Sequence, residues 1–187
     1  MHRFMRMTGV ALTLAALTAC SGTKSTPTYH LPPQHVRELE SALPGKRVTI
    51  GEVTYTAIGI RTDIVSVVGS HADLLAKGQY VRVRLSMANS GKARHDLDLY
   101  KQRLLTTDGK GYDLSFDAME IARGPDGPFS IAAQEVRELD LWYDIPATAK
   151  VRALHILGDP SSSRLADRLT GVPVTGSSTT ADLPLTS

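Results

Sequence analysis

The chain has 187 residues, 42% of them hydrophobic, with 21 Lys and Arg, 19 Asp and Glu and a single cysteine, which bounds it to one domain of ordinary size and excludes an internal disulfide framework. The formal net charge of +2 comes from the leading segment. Arg3 and Arg6 lie there with no acid beside them, and from Cys20 onward 19 basic residues face 19 acidic ones, so an electrostatic footprint for nucleic acid is excluded.

Residues 1–19 read as a signal peptide. Two arginines precede the apolar run Gly9 to Leu17, which is too short to span about 30 Å of hydrocarbon at about 1.5 Å per residue. Leu17-Thr18-Ala19-Cys20 resembles the bacterial lipobox, in which the thiol takes a diacylglyceryl group and the chain is cut just before it. The motif needs small side chains for the peptidase and a thiol to carry lipid. The expectation is therefore an anchor in the cell membrane, facing outward, through lipid on Cys20, with each buried methylene contributing about 0.8 kcal/mol.

Residues 20–34 are small, polar and without apolar period, as expected of a flexible tether. From His35 to Leu43, Val36, Leu39 and Leu43 share a helical face, while Arg37, Glu38, Glu40 and Ser41 face water. Pro32-Pro33 before and Pro44-Gly45 after punctuate a short N-terminal helix, expected either to cap the core or to dock a partner.

From Lys46 to Leu157 the signals are strands separated by turns. Arg47 to Ala57 alternates, with a slip near Gly51 that suggests a bulge, and Ile58 to Val68 continues or pairs with it. A loop from Gly69 to Gly78 leads to the clearest strand, where Val81, Val83, Leu85 and Met87 lie on one side and Arg82, Arg84 and Ser86 on the other. Asn89-Ser90-Gly91 ends it in a tight turn. Leu97 to Thr106, an Asp108-Gly109 hairpin into Tyr112 to Phe116, Val136 to Ile145 closed by Pro146, and Val151 to Leu157 complete the set. Several short strands without helical crossovers indicate an all-β, antiparallel β-sandwich over residues 35–158.

Gly51 to Val53, Tyr80 to Gly91, the Leu104 to Tyr112 hairpin (LLTTDGKGY) and Asp144 to Pro146 together resemble an immunoglobulin-like domain of unknown function. That domain occurs in lipoproteins and secreted proteins of Gram-positive bacteria, including mycobacteria. The resemblance covers about Lys46 to Gly158 and implies a sandwich, an extracytoplasmic location and a protein-binding role, with no reaction attached.

Catalytic signals are weak. The six histidines have no metal-pair spacing; His71 with Asp73, and His95 with Asp96 and Asp98, read as solvated loop residues rather than ligands. No Gly-x-Ser-x-Gly occurs, and the one cysteine is committed to lipid. We therefore expect no metal, no cofactor and no enzyme. The stretch Ser115 to Gln134 is long for a strand connection. Its Phe116, Met119, Ile121 and Phe129 either close the end of the sandwich or bind a partner or apolar ligand. Trp142 is expected to point outward, covered by that stretch or exposed as a contact. Residues 159–187, rich in Ser and Thr, read as a disordered tail with one brief helix at 161–169. The expected function is a membrane-anchored, non-catalytic binding module for an envelope protein. The alternative is a carrier of a lipid or other apolar ligand. A carrier needs an apolar cavity, a binding module a filled core and a surface patch.

Overall fold

The computed structural model describes residues 35–70, 73–159 and 179–186. The expected signal peptide, the lipobox with Leu17, Thr18, Ala19 and Cys20, and the tether lie outside the described residues, as do His71 and residues 160–178. The elements are β1 (Ser41–Ala42), β2 (Arg47–Ile50), β3 (Val53–Val68), β4 (Asp73–Asn89), β5 (His95–Asp98), β6 (Arg103–Thr106), β7 (Gly111–Tyr112), α1 (Phe116–Ile121), β8 (Pro128–Ile131), β9 (Val136–Ile145), β10 (Val151–Leu157) and β11 (Thr180–Pro184). One sheet runs β1-β3-β4-β9, with β2 also on β3; a second runs β11-β10-β6-β7; β5 pairs with β8. Every pairing is antiparallel, so the all-β sandwich expected from the alternation is what the chain forms.

The alternation in β4 places its faces as expected. Val81, Val83, Leu85 and Met87 are each no more than 1% exposed. Beside them Leu139, Leu141, Tyr143 and Ile145 project from β9 into the same interior. From the opposing sheet come Leu104, Leu154, Ile156 and Leu183. Burial of a side chain of this size contributes about 1.5–3 kcal/mol, and burial pushes the Tyr143 phenol up, so it stays a neutral donor inside the core. Polar groups admitted to the interior are matched: Gln102 donates to the Asp98 and Leu157 carbonyls at 2.7 and 3.1 Å and accepts from the Leu157 N–H at 2.9 Å.

Several elements differ from the sequence expectation. The slip at Gly51 is a two-residue hairpin turn, because Ile50 pairs with Val53 and Gly51 takes φ +59°. The expected Gly69 to Gly78 loop is mostly strand: β3 and β4 continue past the sheet as a two-stranded arm in which Ser66, Val67 and Val68 pair with Leu75, Leu74 and Asp73. At the end of β4 none of Asn89, Ser90 and Gly91 is left-handed. The turn is held instead by the buried Asn89 amide, which donates to the Ala93 and Ala132 carbonyls and accepts from the Gly91 N–H. The stretch Ser115 to Gln134 holds α1, capped by Ser115, and β8.

The short N-terminal helix expected over His35 to Leu43 does not form. The segment is extended, with a turn at Glu38-Leu39 and a two-residue strand on β3. Leu39, expected on the buried helical face, is 69% exposed and left-handed at φ 60°, whereas Glu40, expected in water, is buried. A two-turn helix is marginal by itself, and pairing with β3 together with burial of the Glu40 carboxylate wins. The tail is corrected as well. Residues 180–184 are not disordered but form β11, paired with β10 from Ala153 to Leu157. Leu183 and Leu185, alternate residues, are 0% and 3% exposed, and Pro184 is tolerated because β11 is an outer strand.

Two substitutions test these corrections. Leu183→Ala should lower stability by about 2–4 kcal/mol in urea unfolding, as expected of a core leucine; a wild-type midpoint would mean that β11 does not close the sheet. Leu39→Gly should raise stability by about 1 kcal/mol, since a left-handed residue other than glycine costs about that much and the leucine buries little. A lowered midpoint would refute that backbone geometry.

Candidate functional site

The outward face of β4 is where charge accumulates. Its register sets rows across the sheet: Arg61, Arg82 and Trp142 lie side by side, then Gly59, Arg84 and Asp140, then Thr56, Ser86 and Glu138. These are the positions the sequence assigns to water, yet Arg84 and Ser86 are only 6% and 1% exposed. The segment 35–43 crosses them as a strap. Its Glu40 side chain is fully buried and reaches Arg84 at 3.0 Å and Arg82 at 3.7 Å, while Arg84 also donates to the His35 carbonyl at 2.7 Å. The Arg37 backbone N–H donates to the same carboxylate, and the Arg37 guanidinium pairs with Asp140 at 2.6 Å. Gly59 lies under the strap, where a Cβ would meet the Glu40 Cγ and Cδ at 2.6 Å, so the floor must be bare there.

One carboxylate thus serves two arginines. Arg82 Nε, Arg84 Nε and Ser86 Oγ are buried with no hydrogen-bond partner among the described residues. Arg82 also lies over the Trp142 ring, 5.8 Å from its centroid, and Tyr80 meets that ring edge-on at 6.3 Å. Burial, then the neighbouring Asp144, pushes the Tyr80 phenol up.

Beside the strap runs an open groove of about 980 Å³. Its floor is Arg82, Asp140 and Trp142, one wall is β3 from Arg61 to Val68, and the other is the stretch Ala122 to Pro125 with Phe129 and Arg137. Five arginines (37, 61, 82, 123 and 137) face three acids (Asp63, Glu138 and Asp140). β3 bulges at Asp63, which is left-handed at φ 56° where its register with β4 shifts, and its N–H donates to Gln79 at 2.9 Å. The arm beyond packs over α1: Ile64, Val67, Tyr80 and Ala118 form a second small core with Ile121 and Trp142 against it.

The five contact residues expected from the sequence are not brought together as one patch. Met119 and Phe129 are in the main core at 2% and 4% exposure, with Arg137 stacked 4.2 Å over the Phe129 ring. Ile121 is half-buried in the second core. Phe116 is exposed and leans on Tyr100 at 5.9 Å. Trp142 points outward as expected and is half-buried, its ring contacts coming from Tyr80 and Arg82. Sequence reading missed the arginines. The Arg82/Arg84 alternation was visible, but the convergence of Arg37, Arg61 and Arg123 from other elements was not.

Among the described residues no three His, Cys, Asp or Glu side chains converge to hold a metal ion. His95, read from the sequence as a solvated loop residue, is instead 3% exposed, flanked by Glu52 at 3.6 Å and Asp159 at 3.8 Å. It lies at the start of β5. Asp96 faces outward, accepting from Ser130 Oγ at 2.6 Å and from Arg94, and these bonds hold its carboxyl below the usual aspartate range.

A family model described as a domain of unknown function, DUF4352, matches residues 43–165. The chain belongs to this family. The DUF4352 match begins at Leu43, so Arg37 and Glu40 of the strap lie outside it, as does β11, whereas Arg61, Arg82, Arg123 and Trp142 lie within. Among solved structures the chain is similar to the yjhA protein from Bacillus subtilis, with 14% identity over 78% of this chain and 99% of that one and a TM-score of 0.53. At that identity the likeness shows a shared fold. A secreted protein of Mycobacterium tuberculosis, MPT63, also matches, with 17% identity over 60% of this chain and 84% of that one and a TM-score of 0.37. No curated protein matches this DUF4352 chain significantly in sequence.

The strap's attachment is testable. Glu40→Gln removes the only carboxylate ion-paired with Arg84 among the described residues and should lower stability by about 3 kcal/mol, read from urea unfolding. Glu38→Gln, on the exposed turn of the same strap, serves as control and should stay within about 0.5 kcal/mol. Equal midpoints for the two variants would show that the buried pair does not hold the strap.

Proposed function

We propose that the protein is a non-catalytic binding module of the cell envelope, held at the outer face of the cell membrane by lipid on Cys20. The reading rests on one contrast. The inward side chains of the two sheets fill the interior, with Val81, Val83, Leu104, Leu141 and Leu154 at 0–1% exposure, while the outer face of the central sheet carries the arginine groove. A filled core and a built surface feature are what a module needs, and a carrier needs the reverse. The single cysteine at the end of an apolar leader supports the anchor.

Native mass spectrometry of the full chain extracted from membranes of its host tests both halves. The expected species begins at Cys20, carries acyl chains and holds no further apolar molecule; Cys20→Ser should lose the acyl mass and leave the membrane fraction. Persistence of the Cys20→Ser protein in membranes would refute the anchor. A stoichiometric apolar molecule released only on denaturation would replace the module with a carrier.

A further inference from the structure

The groove's chemistry is specific enough to name an occupant class, on the understanding that the protein is a binding module. Arg61 and Arg82 are direct cross-strand partners, and like charges placed opposite each other destabilise a sheet. The three acids lining the groove, Asp63, Glu138 and Asp140, offset that charge only in part, against five arginines. Glu40 is shared between Arg82 and Arg84, and Asp140 is occupied by Arg37. Among the described residues Arg61 has no ion-pair partner, and the Arg123 guanidinium bonds only the Ser70 hydroxyl, at 3.0 Å. An excess of arginine over acid therefore remains in the groove, in a chain whose charges sum to zero from Cys20 onward.

Its layout argues for several anionic groups on one chain rather than for a single small anion. The arginines come from different elements: Arg61 from β3, Arg82 from β4, Arg123 from the stretch after α1. Between them the accessible lining is apolar at Val65, Val68 and Trp142, with Val65 and Val68 74% and 73% exposed. The Trp142 face already carries Arg82, which leaves little of it for stacking a sugar ring. Tryptophan and arginine lining an open cleft are instead the residues that dominate protein–protein hot spots.

We propose that the groove docks an extended acidic polypeptide segment of a partner protein. Carboxylates flanking an apolar side chain meet Arg61 and Arg123 on the two walls, the apolar side chain rests on Val65 and Trp142, and Arg82 supplies positive charge from below. Charge pairs at the rim chiefly set association rate and partner choice, whereas the apolar contact holds the complex.

Trp142 is the only tryptophan of the chain, so its fluorescence reports the groove directly. The full chain, solubilised in a neutral detergent, is titrated with the capped peptide acetyl-Asp-Glu-Leu-Asp-Glu-amide and with its Asn/Gln isostere. A saturable change is expected with the acidic peptide only, weakening at least tenfold between 50 and 500 mM NaCl and at least tenfold in the Arg61→Gln/Arg123→Gln variant. Arg152→Gln, a substitution on β10 outside the groove, should bind as wild type. An unchanged spectrum, equal binding of the isostere, or an unaffected double variant would overturn the proposal. Inorganic polyphosphate binding as tightly as the peptide would overturn the polypeptide assignment in favour of another polyanion. Any of these results, obtained with an acylated protein free of apolar ligand, would leave the module reading standing and remove only its occupant.

Discussion

The structure depends on the antiparallel pairing of β3 with β4, which runs from Val53 opposite Asn89 to Val68 opposite Asp73. Side chains alternate across a strand, so one register decides both faces of the central sheet at once. A slip of one residue would send Val81, Val83 and Leu85 outward and bring Arg82 and Arg84 into the core. The cost of burying unpaired guanidinium groups makes that slip prohibitive. The rest of the chain is arranged on the two faces this pairing creates: the second sheet against the inner one, the strap, α1 and the arm against the outer one.

The outer face is unusual in being buried and charged together. Coverage by the strap takes Arg84 out of water, and Glu40 compensates it at 3.0 Å. That compensation is incomplete, because one carboxylate faces two arginines and several polar atoms below the strap lack partners among the described residues. A hydrophobic replacement for such a cluster is often as stable or more so. The groove beside it inherits the excess, since Arg61 and Arg82 belong to the same row of the sheet.

The fold was legible in the sequence where alternation was unbroken. β9, β10 and the part of β4 from Gln79 onward lie where period-two patterns and Pro146 put them, and the Asp108-Gly109 hairpin joins β6 to β7 with Gly109 at φ 84°. Legibility failed where a short segment had two physically reasonable partners. The His35 to Leu43 pattern fits a helix equally well until β3 and Arg84 are in place. The tail reads as polar until Leu183 and Leu185 are seen as alternate residues with β10 open beside them. The long stretch after Ser115 was recognised as out of the ordinary, but α1 has only six residues and its burial against the arm comes from contacts far along the chain.

By itself the sequence determined the antiparallel β class, the inward face of the central strand and the neutral charge balance from Cys20 onward, because each depends on local composition or on a period of two. It also carried the outward direction of Trp142. Only the tertiary structure decided that Glu40 is buried and Leu39 exposed, that β11 completes the second sheet, and that arginines distant in sequence, Arg37, Arg61, Arg82 and Arg123, line one groove. Such convergence follows from sheet register and chain crossing, which join residues across separations that no local pattern encodes.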